Sequence, residues 1–197
     1  MDHVFTYQLG DSLYINLTNR CTNDCDFCVR HQPNGIGDYD LWLTREPEAA
    51  EVIALIPDPT QYRQIVFCGY GEPMIRLDAL KEIAAYVKEK GGQVRINTNG
   101  QANLIHGRDV TGELAGLVDE MNISLNASDA EKYQAMCHSE FGEAAFEGLL
   151  DFAARAAKVV PKVVLSVVDV IGEEEIARCR KAAERIGVPL RVRAMIR

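Results

Sequence analysis

Six short apolar runs rich in β-branched residues lie along this chain, and each of the first five is followed by a stretch with helical periodicity. That alternation restricts the fold to a parallel α/β architecture. The runs are Leu13–Leu17, Gln64–Cys68, Val94–Thr98, Met121–Leu125, Val163–Val170 and Leu190–Met195. Between them the sequence predicts a helix over Pro47–Ile56 and another over Ala79–Lys90, with Asp78 as its cap and Gly91-Gly92 as its stop. A short helix is expected over Thr111–Leu117, then a brief turn at Asp129–Ala135, a break, and a long helix from Glu143 to about Lys158. The helix over Glu173–Ile186 opens with three glutamates, which the helix dipole favours, and stops at Gly187 before Pro189. Six units are too few for a closed eight-stranded barrel, so an open doubly wound sheet and a partial barrel both satisfy the periodicity.

Composition narrows the chemistry. The 197 residues, 47% hydrophobic and 25% charged, describe one globular domain over 1–197. No basic segment followed by an apolar run opens the chain, and no apolar stretch approaches the ~18 residues of a membrane span, so the expected location is cytoplasmic, away from any membrane. In that reducing compartment the six cysteines point to metal or catalytic use rather than to a disulfide framework. The net charge of −8 argues against a general affinity for nucleic-acid backbones.

Half of those cysteines fall in one loop. Cys21, Cys25 and Cys28 form the run Cys-Thr-Asn-Asp-Cys-Asp-Phe-Cys directly after the first strand, in a loop spanning 19–30. Three thiolates are one short of a full ligand set, and an iron–sulfur cube held by three keeps one iron open for a small molecule. The structural alternative is a Cys3His zinc knot completed by His31. Cys68, Cys137 and Cys179 are isolated, which argues against further clusters.

Unusual residues also follow the next strands, at the edge where parallel α/β folds place their chemistry. The second strand runs into Phe67-Cys68-Gly69-Tyr70-Gly71-Glu72-Pro73, where glycines let backbone approach a ligand. The third ends in Asn97-Thr98-Asn99-Gly100 and the fourth in Ser124-Leu125-Asn126-Ala127. Hydroxyls and amides at successive strand ends can bind ribose hydroxyls and a carboxylate, although either stretch alone would read as a strand-terminating turn. The fifth strand gives Val168-Asp169-Val170-Ile171-Gly172, followed by Glu175.

Together with the later Cys137-His138-Ser139-Glu140-Phe141-Gly142, these motifs resemble the radical S-adenosylmethionine (SAM) superfamily, and within it the TatD-associated radical SAM proteins. The resemblance implies a partial (β/α)6 barrel in which Cys21, Cys25 and Cys28 hold a [4Fe-4S] cluster and SAM occupies the fourth iron through its amino and carboxylate groups. It makes Phe27 the packing partner of the adenine. It assigns Gly71 and Glu72 to the amino group, Asn97, Asn99, Ser124 and Asn126 to the ribose and methionyl carboxylate, and Val168 to an apolar wall for adenine. It further implies a reductant such as flavodoxin or ferredoxin, an unidentified small-molecule substrate, and a functional association with a TatD-type metallohydrolase.

The remaining candidates concern the substrate. Val29–Thr44, which contains Trp42, and the break at Cys137–Gly142 are the expected lid segments. In the second, Cys137 and His138 are candidate catalytic residues, a thiol there being able to quench or tether a substrate radical, while Cys68 reads as a small buried strand residue. Arg193 suits a bidentate contact to a substrate carboxylate or phosphate, with Arg191 and Arg197 on the outer face of the last strand. Two alternatives stand beside the small-molecule enzyme: an activase that makes a glycyl radical on a partner protein, and a zinc-stabilised binding module.

Overall fold

The computed structural model describes residues 4–31, 36–37 and 39–194. Among them one sheet runs β1 (Thr6–Leu9), β2 (Ser12–Ile15), β3 (Ile65–Phe67), β4 (Val94–Thr98), β5 (Glu120–Ser124), β6 (Lys162–Val168) and β7 (Leu190–Arg193), in that spatial order. β2 to β7 are parallel, as the alternation predicts. β1 is an addition that no alternating run announced. It pairs antiparallel with β2 through a two-residue turn, Leu9 facing Ser12, and Gly10 supplies the positive φ of +61° that such a tight turn requires.

The helices are α1 (Ala49–Ala54), α2 (Leu77–Glu89), α3 (Ala102–His106), α4 (Ala130–Cys137), α5 (Ala144–Ala156) and α6 (Glu173–Arg185). Several boundaries move for identifiable reasons. Asp78 lies inside the first turn of α2 rather than capping it, because the 3-10 turn Pro73–Arg76 leads straight into the helix. α3 stands where no helix was expected, and Thr111–Leu114 is a 3-10 turn rather than a full helix. The brief turn expected at Asp129–Ala135 is a full helix that runs to Cys137, because Asp129 caps it, accepting from Lys132 N–H at 2.9 Å. The last residues of the predicted fifth strand turn into a 3-10 segment, Asp169–Ile171. Met195 and Arg197 lie outside the described residues, as do 32–35 and 38 of the expected lid.

The strand period of two separates the sheet's faces. Ile65, Phe67, Val94, Ile96, Met121, Ile123, Leu165 and Val167 pack under Leu80, Ile83 and Val87 of α2 and Phe146, Leu149 and Phe152 of α5, forming the main core. The residues between them, Tyr14, Arg95, Asn97, Asn122, Ser124 and Ser166, face the other way. That second face is concave: Arg193 on β7 lies close enough to Cys68, just past β3, for their charges to interact. Four strand spacings of about 4.8 Å would hold them ~19 Å apart on a flat sheet. No helix among the described residues is long and apolar enough to cross a membrane.

Candidate active site

The cysteine loop leaves β2 at the C-terminal edge of the sheet, and its three thiols are free and partly exposed. Backbone bonds from Cys28 N–H to the Cys25 carbonyl and from His31 N–H to the Cys28 carbonyl, each 3.0 Å, fold its end into a tight turn. The N–H of Asn23 is aimed at Cys21 Sγ at 3.4 Å, and Asn99 Nδ2 approaches the same sulfur at 3.9 Å. Burial, with Glu72 nearby, pushes the Cys21 thiol up to about 12. A hydrogen bond with Cys137, with burial, raises that of Cys25, and burial raises that of Cys28. Arg30, which donates to Asp24 and to the Asn23 carbonyl, opposes all three shifts. Binding a metal here would therefore release protons, and Arg30 lowers the cost of the thiolates.

The donor set fits a cluster better than a single ion. Four tetrahedral zinc bonds of ~2.3 Å would bring sulfurs within about 4 Å of each other. Among the described residues no three His, Cys, Asp or Glu side chains converge to hold one ion. His31 Nε2 bonds Asp24 at 3.1 Å instead of joining the cysteines. Three thiols on one partly exposed loop, with N–H groups directed at sulfur, suit a polynuclear cluster with one open iron.

The segment after β3 presses against this loop. A Cβ on Gly71 would lie 2.3 Å from the Thr18 carbonyl oxygen and 2.4 Å from that of Arg20, so only glycine lets the backbones meet and Glu72 N–H reach the Arg20 carbonyl at 2.8 Å. The Glu72 carboxylate is 3% exposed. Its Oε1 accepts from Met74 N–H at 3.0 Å and from the Thr98 hydroxyl at 2.8 Å, and Oε2 accepts from Asn99 N–H at 2.7 Å. Burial pushes its pKa up to about 7 against those three donors. Glu72 thus ties the end of β3 to the end of β4, and most of its accepting capacity is used inside the protein.

Of the strand-end residues singled out for SAM, Asn97 and Ser124 sit on the concave face, where Asn122 Nδ2 donates to Asn97 Oδ1 at 3.2 Å. Asn99 turns toward the cysteine loop and donates to Thr22 Oγ1 at 2.9 Å. Asn126 adopts φ of +62°, donates to Cys137 Sγ at 3.6 Å, and leaves its buried Oδ1 without a partner. Val168 is buried beside the concave face, outside the helix-side core. Phe27 is half-buried at the edge of that core.

Cys137 and His138 differ from the expectation of substrate-facing groups. Cys137 is fully buried against Cys25, behind the cysteine loop, and His138 bonds Asp26 at 2.8 Å. The cause lies in the end of α4, whose last carbonyls need donors. Asp24 N–H bonds the Cys137 carbonyl at 2.9 Å and Asp26 N–H bonds that of Met136 at 3.1 Å, so the loop itself caps the helix. Beneath it runs a buried polar network that the motifs did not reveal. Gln101 Oε1 accepts from the hydroxyls of Thr22 at 2.7 Å and Ser139 at 3.1 Å, and its Nε2 donates to Asn23 at 2.8 Å and to the Tyr133 hydroxyl at 2.9 Å. Asn23 Nδ2 donates to the same hydroxyl at 2.9 Å. Gln101 directly follows the Asn-Thr-Asn-Gly strand end, which was the one sequence signal available for it.

A family model described as the radical SAM superfamily matches residues 15–186, spanning the cysteine loop and β3 to β6. The chain belongs to the radical SAM superfamily. Its members use a [4Fe-4S] cluster and SAM. A protein named GTP 3',8-cyclase from Staphylococcus carnosus is 32% identical over 130 residues, covering 63% of this chain and 36% of that one. A Methanosarcina barkeri protein named Fe-coproporphyrin III synthase is 38% identical over 87 residues, covering 43% and 20%. This radical SAM chain therefore spans well under half the length of these curated relatives. Among solved structures, Streptococcus suis SuiB bound to SAM superposes with a TM-score of 0.69 at 14% identity, covering 96% of this chain and 41% of that one. That likeness shows the fold.

Proposed function

We propose that this protein is a radical SAM enzyme that cleaves SAM reductively and abstracts hydrogen from a small-molecule substrate held on the concave face, with Cys21, Cys25 and Cys28 holding the cluster. The observation that carries this reading is the three-thiol loop pressed onto the Gly71–Glu72 segment at the edge of a polar concave face. When bound, the cluster and SAM supply one-electron cleavage of a carbon–sulfur bond to a 5′-deoxyadenosyl radical.

The chain's own residues bind, orient and shield. Arg30 favours the thiolate forms, and the Asn99–Thr22–Gln101–Tyr133 network holds the loop against the end of β4 and α4. The backbone around Gly71 and the side chains of Asn97, Ser124 and Asn126 present carbonyl, amide and hydroxyl groups to a nucleoside and an amino-acid end, while Val168 and Phe27 exclude water from an adenine. Cys137, buried behind Cys25, is a positioning residue for the loop. A cleft of about 490 Å³ beside Cys21 is bordered by Arg20, Ile75, Ile105 and Phe141, and there we place the approach of a flavodoxin or ferredoxin. Relatives named for GTP make a nucleotide the first substrate to test. Association with a TatD-type metallohydrolase stays part of the proposal.

The test is anaerobic reconstitution, an iron and sulfide assay, and detection of 5′-deoxyadenosine after addition of SAM and dithionite. About four irons per chain and reductant-dependent 5′-deoxyadenosine are expected. Cys25→Ala should lose the cluster and Cys179→Ala, on the buried face of α6, should keep it. Stoichiometric zinc without iron, or a reducible cluster that never cleaves SAM, would overturn the reading.

A further inference from the structure

The last strand carries a half-buried arginine that makes no hydrogen bond or ion pair among the described residues. Leu190 and Val192 pack against the helix-side core, so alternation sends both Arg191 and Arg193 to the concave face, not to the outer one. Arg191 is exposed there, whereas Arg193, paired in register with Val168, is half-buried at the C-terminal edge. Its guanidinium reaches toward the cysteine loop, near enough for the thiols of Cys25 and Cys68 and the Asp169 carboxylate to act on it.

Arg193 stands out against the other described arginines. Arg20, Arg30, Arg45, Arg76, Arg108, Arg155, Arg178 and Arg185 each hold a carboxylate, and Arg95 bonds Tyr14 and Gln64. Arg63, Arg180 and Arg191 lack such partners but are exposed, where water serves. Among the described residues, only Arg193 is withdrawn from water with no hydrogen bond or ion pair. A guanidinium that gives up hydration without gaining an anion is costly, and the cost is repaid when a ligand brings the anion. The same face also buries Asn122 Oδ1 with no donor, a second polar atom whose partner is missing from the chain.

We infer that Arg193 anchors an anionic group of the substrate, a carboxylate or a phosphate, by a two-pronged contact across the concave face from the cysteine loop. The inference rests on the reading of that face as a substrate site beside bound SAM. It implies that substrate selection depends on the spacing between the anion and the hydrogen that is removed.

The test uses anaerobically reconstituted, SAM-saturated protein titrated calorimetrically with inorganic phosphate and with succinate, in wild type, Arg193→Gln and Arg193→Lys. One of the two anions should bind at millimolar concentration or better, a preference for phosphate or for succinate telling a tetrahedral from a planar group. Arg193→Gln should weaken that binding by about tenfold or more, and Arg193→Lys by less, since it keeps the charge but loses the fork. SAM affinity should stay within about twofold in both variants, with iron content reporting that they fold. Anion binding that ignores residue 193, or no anion binding to wild type, overturns the inference while leaving SAM cleavage standing. Loss of SAM affinity in Arg193→Gln overturns it as well, by giving the arginine to the carboxylate of SAM. If wild type neither binds nor cleaves SAM, the functional reading itself has failed.

Discussion

On β5, Met121 and Ile123 face the helices and are fully buried in the main core, while Glu120, Asn122 and Ser124, one residue away in each case, face the concave side. β4 repeats the contrast, with Val94 and Ile96 on one face and Arg95 and Asn97 on the other. The helix side is continuous hydrocarbon, and its favourable term is area removed from water. The concave side holds buried polar atoms without partners, Arg95 Nε, Asn122 Oδ1 and Asn126 Oδ1, which lower stability as the chain stands. One face therefore supplies the free energy of folding, and the other spends part of it on buried polar groups. Between the two lies the cysteine loop, held by a network that is buried yet fully bonded.

This contrast makes predictions of decreasing size. Phe152→Ala, on the helix side, should cost ~3–5 kcal/mol in chemical unfolding, the range for removing a buried aromatic ring. A loss below ~1 kcal/mol would mean that α5 is not part of the main core. Tyr133→Phe removes the oxygen that accepts from Asn23 and Gln101, so each buried amide loses the partner of one N–H. It should cost ~1–3 kcal/mol and also reduce iron uptake on reconstitution, which Phe152→Ala need not do at equal folded fraction. Equal iron uptake in both proteins at equal folded fraction would remove the network's role in shaping the loop.

Glu72 sharpens the comparison through pH. Its folded pKa of about 7 lies above the usual glutamate value of ~4.3, so the folded state holds a proton that the unfolded state has already lost across this interval. The stability linked to Glu72 is fully present below about pH 4 and falls as pH rises to about 7. The difference in unfolding free energy between wild type and Glu72→Gln should follow that slope and level off above it. A flat difference from pH 4 to 7 would show that the three donors, rather than burial, govern this carboxylate. The smallest effect is expected on the concave side: Asn122→Ala removes an orphaned acceptor together with one bond to Asn97, and should change stability by under ~1 kcal/mol. If it costs as much as Phe152→Ala, the concave face is core and not a ligand site.

Much of this was legible in the sequence because it is local. Strand alternation placed β2 to β7, and the cysteine spacing with the Gly-Tyr-Gly-Glu-Pro run marked the loop and the segment against it. The β1 strand escaped because Thr6–Leu9 has one fully buried apolar residue, Tyr7, and gains its place only by pairing with β2. α3 escaped because its five residues carry too short a pattern to read.

The roles within the site were decided at longer range. Gln101 meets Asn23 across 78 positions and Asn23 meets Tyr133 across 110, separations over which no periodicity carries information. Asn99 was readable as a polar strand-end residue but not as the one that bonds Thr22, and Cys137 as a thiol in a break but not as the neighbour of Cys25. The sequence by itself determined which residues have the chemistry to bind a cluster, a nucleoside and an anion, since residue type and local spacing are written in the chain. Only the tertiary structure decided which of them are spent on holding the loop and which, like Arg193, remain unpaired, because hydrogen-bond partners are assigned by packing between distant segments.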